Sequence, residues 1–224
     1  MQAVPQLETA ELLTIAGDQQ TATINKQSTL TMSDAQRFLT ALWPDELPGK
    51  LILWTLPDKQ TRAYDDIHTA VMAAEKLSGT HDVYFGCGLQ ADKPAKGRGT
   101  ADTVSAIPGL WADIDVAGDG HQDTGKQYFQ DRLAADRWIA TLPHLPTMTV
   151  WSGGGYHLYW LFKEPMEDME AAATLLHGWQ AYLRQSARLQ GGDVDATHDL
   201  TRVLRVAGTT NRKHGGFRPV ELVS

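Results

Sequence analysis

The stretch Gly109-Leu110-Trp111-Ala112-Asp113-Ile114-Asp115-Val116 decides how this chain is read. Its apolar flanks predict a largely buried strand. On a strand, residues two apart point to the same face. Asp113 and Asp115 therefore project side by side while Ile114 points the other way. Two carboxylates so placed repel each other and lose hydration. A cation between them relieves both penalties, and hard ions such as Mg²⁺ or Mn²⁺ prefer carboxylate oxygens and share their sites with substrate phosphates. The plain alternative is a strand end where both acids meet water. For an isolated Asp-x-Asp that alternative is favoured; the sequence downstream reverses the balance.

Further along comes Trp151-Ser152-Gly153-Gly154-Gly155-Tyr156-His157-Leu158-Tyr159-Trp160. It joins two apolar runs and predicts two strands linked by a glycine-rich turn. Glycines let backbone N–H groups approach a phosphate closely. His157, just past the turn, is placed to donate to a phosphate oxygen. Taken alone, the turn reads equally well as a hairpin with a satisfied core histidine. There is no Gly-Lys-Ser/Thr, which excludes a Walker-type loop. Ser152 follows Val150-Trp151 rather than Gly-x, so it is a poor hydrolase nucleophile.

A third cluster spans residues 191–215, with Asp193, Asp195 and Asp199, then Arg202 and Arg205, then Gly208-Thr209-Thr210-Asn211 and Lys213. Arginine's planar fork suits phosphate oxygens. On its own the cluster is an acidic loop followed by a salt-bridged strand.

Together the three clusters resemble the signature motifs of the archaeo-eukaryotic primase superfamily, specifically the primase-polymerase domain of plasmid, phage and mobile-element replication proteins. The matching residues are Asp113-Ile-Asp115, then Ser152-Gly-Gly-Gly155-Tyr-His157, then Asp195 with Arg202, Arg205, Gly208-Thr209, Asn211 and Lys213. Lys96-Gly97-Arg98-Gly99 also fits the plasmid and phage branch, and the match covers roughly residues 83–220. Ala207 stands where the family often has proline, and the stretch holding Asp119, Gly120 and Asp123 suggests a longer loop.

The resemblance implies an α/β (α+β) fold: an RRM-like catalytic sheet with helices on one side, beside a smaller N-terminal α/β lobe. The lobes would span about 1–100 and about 101–224. It implies two-metal nucleotidyl transfer by a DNA primase or polymerase. Asp113, Asp115 and Asp195 would hold Mg²⁺ or Mn²⁺, with Asp199 the second choice for the third carboxylate. Ser152, the turn amides of Gly153 and Gly155, and His157 would bind the triphosphate. Arg202, Arg205 and Lys213 would neutralise phosphates. Expected partners are a single-stranded DNA template, a primer and dNTP or NTP, with a helical priming domain and a helicase in a longer protein.

Composition fits a cytoplasmic enzyme. Net charge is −7 and the pI is near 5.5, against a simple nucleic-acid-coating protein. Charge is uneven: residues 200–224 hold five Lys/Arg, namely Arg202, Arg205, Arg212, Lys213 and Arg218, against Glu221. Cys87 is the single cysteine, which excludes an internal disulfide and argues against a cysteine-rich zinc module. No stretch is long and apolar enough to span a membrane, and the N-terminus lacks the pattern of a secretory signal.

Along the chain, residues 1–31 are polar and predict loose packing or a short strand pair. Ser33-Asp34-Ala35-Gln36 opens a helix to about Trp43. Strands are expected at 50–56, 83–85, around Asp113, Met148 and His157, and at Leu204 and Val220. Helices are expected at 64–77, 128–141 and 167–189, the last ended by Gly191-Gly192. Two rival functions fit parts of the pattern. A nucleotide-sugar transferase also uses Asp-x-Asp, but has no use for Arg-x-x-Arg and Gly-Thr-x-Asn. A non-catalytic replication-origin module would keep the fold and lose the chemistry.

Overall fold

The computed structural model describes residues 32–44, 46–118 and 127–224, the side chain of His214 excepted. The expectation for residues 1–31, and the loop around Asp119, Gly120 and Asp123, lie outside the described residues.

Ser33 caps α1 (Asp34–Leu42) by accepting from the Gln36 amide at 3.1 Å, as its sequence predicts. A hairpin follows, β1 (Leu51–Leu56) and β2 (Thr61–Tyr64). The helix expected from residue 64 begins later, as α2 (Ile67–Ser78), because Asp66 accepts from the Thr69 amide at 2.7 Å and starts it there. Tyr64 belongs instead to β2. Next come β3 (Asp82–Gly86), β4 (Leu89–Gln90) and the long β5 (Val104–Asp115).

α3 (Arg132–Ile139) is shorter than expected because Asp131 is its cap. β6 (Met148–Trp151), β7 (Gly155–Met166) and α4 (Met169–Leu189) follow, then β8 (Val203–Arg205), β9 (Thr210–Asn211), β10 (Arg218–Pro219) and β11 (Glu221–Leu222). The strand expected at Val220 is two short strands with Val220 between them. There its amide bonds Thr209 O at 2.9 Å and its carbonyl accepts from Gly208 at 2.7 Å.

The result is a mixed α+β fold. One sheet runs β11-β6-β7-β5-β4, a second runs β2-β1-β3-β8, and β10 pairs with β9; the pairings are antiparallel. Register and alternation fix the two faces of the five-stranded sheet. Leu110, Ala112 and Ile114 share one face with Tyr156, Leu158 and Trp160, under α3 and α4. Trp111, Asp113 and Asp115 share the other with Gly155, His157 and Tyr159. On that face Phe38 of α1 meets Tyr159 at 5.4 Å and Phe85 of β3 at 5.1 Å, which knits the two sheets into one core. Fully burying such a ring contributes about 2–3 kcal/mol.

β4 pairs with β5 only at Val104 and Ala106. The second half of β5 therefore has β7 on one side, and residues 195–199 run past its other edge. Asp195 N donates to Asp113 O at 2.9 Å, and Trp111 Nε1 donates to Thr197 O at 2.7 Å.

Candidate active site

Asp113 and Asp115 lie near the end of this edge, both half-buried. His157 is the register partner of Asp113, so the second motif meets the first across one ladder rung. Asp195 meets it from the other side through the backbone bond to Asp113. Three segments far apart in sequence thus converge on one strand.

His157 is only 3 % exposed. Its Nε2 stands 3.8 Å from Asp113 Oδ1, beyond hydrogen-bond range, and its Nδ1 has no hydrogen-bond partner. Burial, and then the Arg205 guanidinium, push its pKa down to about 3. The ring is therefore neutral at physiological pH and has one N–H to give. Burial raises the Tyr84 phenol; Arg205 opposes that shift, while Asp82 and Asp113 reinforce it. Burial also pushes the Cys87 thiol and the Tyr159 phenol well up, so neither is an anion here.

Arg205 is held from two sides. Its guanidinium lies 4.8 Å over the Tyr84 ring, and its Nη2 is 3.4 Å from Asp82 Oδ1. Asp82 also accepts from the Arg212 amide at 2.9 Å. Asp82 and Tyr84 carry no motif; their partners are distant in sequence, so nothing local announced them. Arg202 is tied to Asp199 at 2.5 Å and to Ala196 O at 2.9 Å. That ion pair engages Asp199, the second choice for the third carboxylate.

The glycine turn is closed from within. Ser152 Oγ donates to Gly155 O at 3.1 Å and its amide donates to the same oxygen at 2.9 Å. Asn211 Nδ2 donates to Ser152 O at 2.7 Å, and Asn211 Oδ1 accepts from the Lys213 amide at 3.0 Å. This pins the Gly-Thr-Thr-Asn segment to the turn, while the Lys213 side chain is exposed. Gly153 has a φ of +87°, the left-handed region that favours glycine. Arg218 Nη1 donates to Gly153 O at 3.2 Å and helps line a hollow of about 260 Å³ beside the turn. In the sequence Arg218 is one of the five basic residues of 200–224 and belongs to none of the three motifs.

Among the described residues, no three or more His, Cys, Asp or Glu side chains form a group able to hold a metal ion. The Asp113–Asp115 pair still has the chemistry of a hard-cation site: two oxygen donors on one face of a strand. Mg²⁺ is commonly held by one or two carboxylates, with water and substrate phosphate completing its shell. The pair fits such an ion as part of a site that needs further oxygen ligands to be complete.

No protein-family model matches the chain, and no curated protein sequence does. Among solved structures it resembles the AEP domain of the cyanophage S-2L primase-polymerase, at a TM-score of 0.51 and 18% identity, covering 84% of this chain and 87% of that one. It also overlays primase RepB′ at a TM-score of 0.45 and 14% identity, covering 85% of this chain and 56% of that one. For the catalytic domain of primase RepB′ in complex with initiator DNA the values are 0.47 and 15%, with 85% and 82% covered. The first likeness, with the architecture above, shows a fold of the archaeo-eukaryotic primase type.

Proposed function

We propose that this chain is a primase-polymerase, a nucleotidyltransferase that joins dNTPs or NTPs on a single-stranded DNA template during replication of a plasmid, phage or mobile element. One observation carries the reading: Asp113 and Asp115, His157 and Asp195 meet at one strand edge in a fold of the primase type. Asp113, Asp115 and Asp195 are the carboxylates that would hold Mg²⁺ or Mn²⁺. Such an ion supplies charge stabilisation at the phosphoryl oxygens during in-line displacement.

The chain's own residues do the rest. His157, neutral beside Asp113, is a hydrogen-bond donor for a phosphate oxygen. Arg205, braced by Asp82 and Tyr84, brings fixed positive charge to the same place, and Arg202 adds a second cation. The amides of Gly153 and Gly155 line the turn where the triphosphate would lie, and Ser152 shapes that turn from inside. Exposed Lys213 serves template phosphates. In this reading residues to about 100 form the smaller lobe and about 101–224 the catalytic lobe, with β8 lending the Arg205 strand to the first lobe's sheet. A helical priming domain and a helicase would act with it in a longer protein.

The test is incorporation of labelled dNTP and NTP on single-stranded DNA, with and without primer, in Mg²⁺ and Mn²⁺. Asp113→Ala/Asp115→Ala is expected to reduce synthesis at least ~100-fold, about 2.7 kcal/mol in barrier, with the melting temperature retained. A variant as fast as wild type removes the carboxylates from the mechanism. A second reading, a non-catalytic DNA-binding module, draws on the burial of His157 and the lack of a three-ligand group among the described residues. It predicts DNA binding without incorporation.

A further inference from the structure

α4 presents His177, Arg184, Gln185 and Arg188 along one flank, spaced so that they share a face. With His198 and Gln180 they line a groove of about 390 Å³ between the helix and residues 191–199. Arg184 Nε is 3.5 Å from Asp193 Oδ1, and Arg188 Nη2 is 3.3 Å from Asp193 Oδ2. Two guanidinium groups thus share one carboxylate, and the groove keeps a surplus positive charge in a chain whose net charge is −7. Arg184 is further fixed by its bonds to Val194 O at 3.1 and 2.9 Å. Arg188 is paired with Asp193 yet more than half exposed, so part of its guanidinium stays open to solvent.

The rim is ordered as well. Thr197 N donates to Gln180 Oε1 at 3.0 Å, which fixes that atom as the oxygen. His198 Nδ1 lies 2.8 Å from the same oxygen and must therefore carry the proton, leaving Nε2 as the ring's other polar atom. His177 packs against this ring at 5.0 Å, edge to face. Segment 195–198 bridges the groove, on the helix-covered side of the sheet, to the β5 edge that carries Asp113. Thr197 O accepts a hydrogen bond from Trp111 Nε1, and Asp195 N donates to Asp113 O.

We propose that this groove binds the phosphodiester backbone of single-stranded DNA on its way to or from the carboxylate edge; the proposal rests on the polymerase reading above. Paired guanidinium groups suit a chain of phosphate monoanions. Leu189, 82 % exposed at the groove's end, offers an unpaired base an apolar surface to cover.

The test is the double variant Arg188→Glu/Gln185→Glu, made at exposed positions outside the carboxylate site, with Arg188→Lys as the conservative control. Binding of a fluorescent single-stranded oligonucleotide is followed by anisotropy across a salt series, beside a poly-glutamate competitor and the incorporation assay. The double variant is expected to bind about 10-fold more weakly, with the log–log salt slope reduced by about 0.7 for the lost cation. Arg188→Lys keeps most of the affinity, and poly-glutamate competes poorly. Wild-type affinity and slope in a folded double variant overturn the groove; if wild type still incorporates nucleotides, the polymerase reading survives. A wild-type protein that binds no single-stranded DNA overturns the groove, and the incorporation arm then decides the polymerase reading separately. Poly-glutamate competing as well as DNA overturns it in favour of an acidic peptide. If the double variant melts early, Arg188→Gln alone gives the same comparison.

Discussion

On the helix-covered face of the five-stranded sheet, Tyr156 Oη accepts from Arg132 at 2.7 Å and donates to Asp136 at 2.6 Å. Trp160 Nε1 donates to His144 O at 2.8 Å. On the opposite face of the same strand, His157 Nδ1 and Tyr159 Oη have no hydrogen-bond partner, and neither do the Nε atoms of Arg205 and Arg202. Folded proteins satisfy most buried polar groups, and each one left over costs about 1–3 kcal/mol. Among the described residues, Trp179 Nε1 is an orphan on the helix side, set in an aromatic stack rather than beside carboxylates, and Trp43 Nε1 and Gln90 Nε2 are two more elsewhere. One face is finished as a core. The other keeps unmet polar atoms on the strand that pairs with the Asp113 strand and on the two arginines of the third motif. Substitutions at Gly155, at Tyr156 and Tyr159, and at His157 test that contrast.

The largest effect is expected where β5 and β7 come closest. A Cβ on Gly155 would stand 2.0 Å from Ile114 O and 2.9 Å from Asp115 Cα. Both atoms are backbone, so neither can swing aside. Gly155→Ala should lower stability by about 3 kcal/mol, the upper end of ordinary overpacking, and should abolish nucleotide incorporation by parting Asp115 from the turn. Chemical denaturation measures the first and the incorporation assay the second. A variant with wild-type stability would mean that the two faces are not joined through this contact.

The two tyrosines compare the faces directly. Tyr156→Phe leaves Arg132 and Asp136 without their shared partner and should cost about 1–3 kcal/mol. Tyr159→Phe removes a hydroxyl that bonds nothing, and should leave stability within about 0.5 kcal/mol of wild type or raise it. Equal losses in the two variants would erase the contrast.

Much of the candidate site's local geometry was legible because each motif is local. Asp113-x-Asp115 fixes its own geometry by alternation, and the glycine run at 153–155 marks its own turn. The meeting of Asp113 with His157 needed strand register, which the pattern of apolar runs supplied only in outline. What stayed hidden are contacts without a local pattern. Asp82 reaches Arg205 across 123 residues, and Asn211 reaches Ser152 across 59. The resemblance implies Ser152 as a triphosphate ligand; the contact its hydroxyl makes with Gly155 O inside the turn has no signature in the sequence. β2 escaped notice because its four residues alternate weakly and are all only partly buried. The flank of α4 reads in sequence as an ordinary solvated helix face; only the return of residues 191–199 makes it a groove.

The smallest predicted effect separates a buried histidine from an exposed one. His157 has a pKa near 3 in the folded chain against the ordinary 6.5, lowered first by burial and then by Arg205. The unfolded chain therefore takes up a proton below pH 6.5 that the folded chain refuses. The stability linked to His157 is intact above pH 6.5 and drains away as pH falls from there towards 3. Between pH 6.5 and 5.5 this group alone should remove about 1 kcal/mol. His157→Gln cannot titrate, so its stability should fall less steeply over that interval, by about the same amount, with the other histidines common to both proteins. Denaturation curves at the two pH values, for wild type and variant, supply the four numbers needed. Parallel slopes would mean that His157 is open to water, and the site face would then be an ordinary solvated surface.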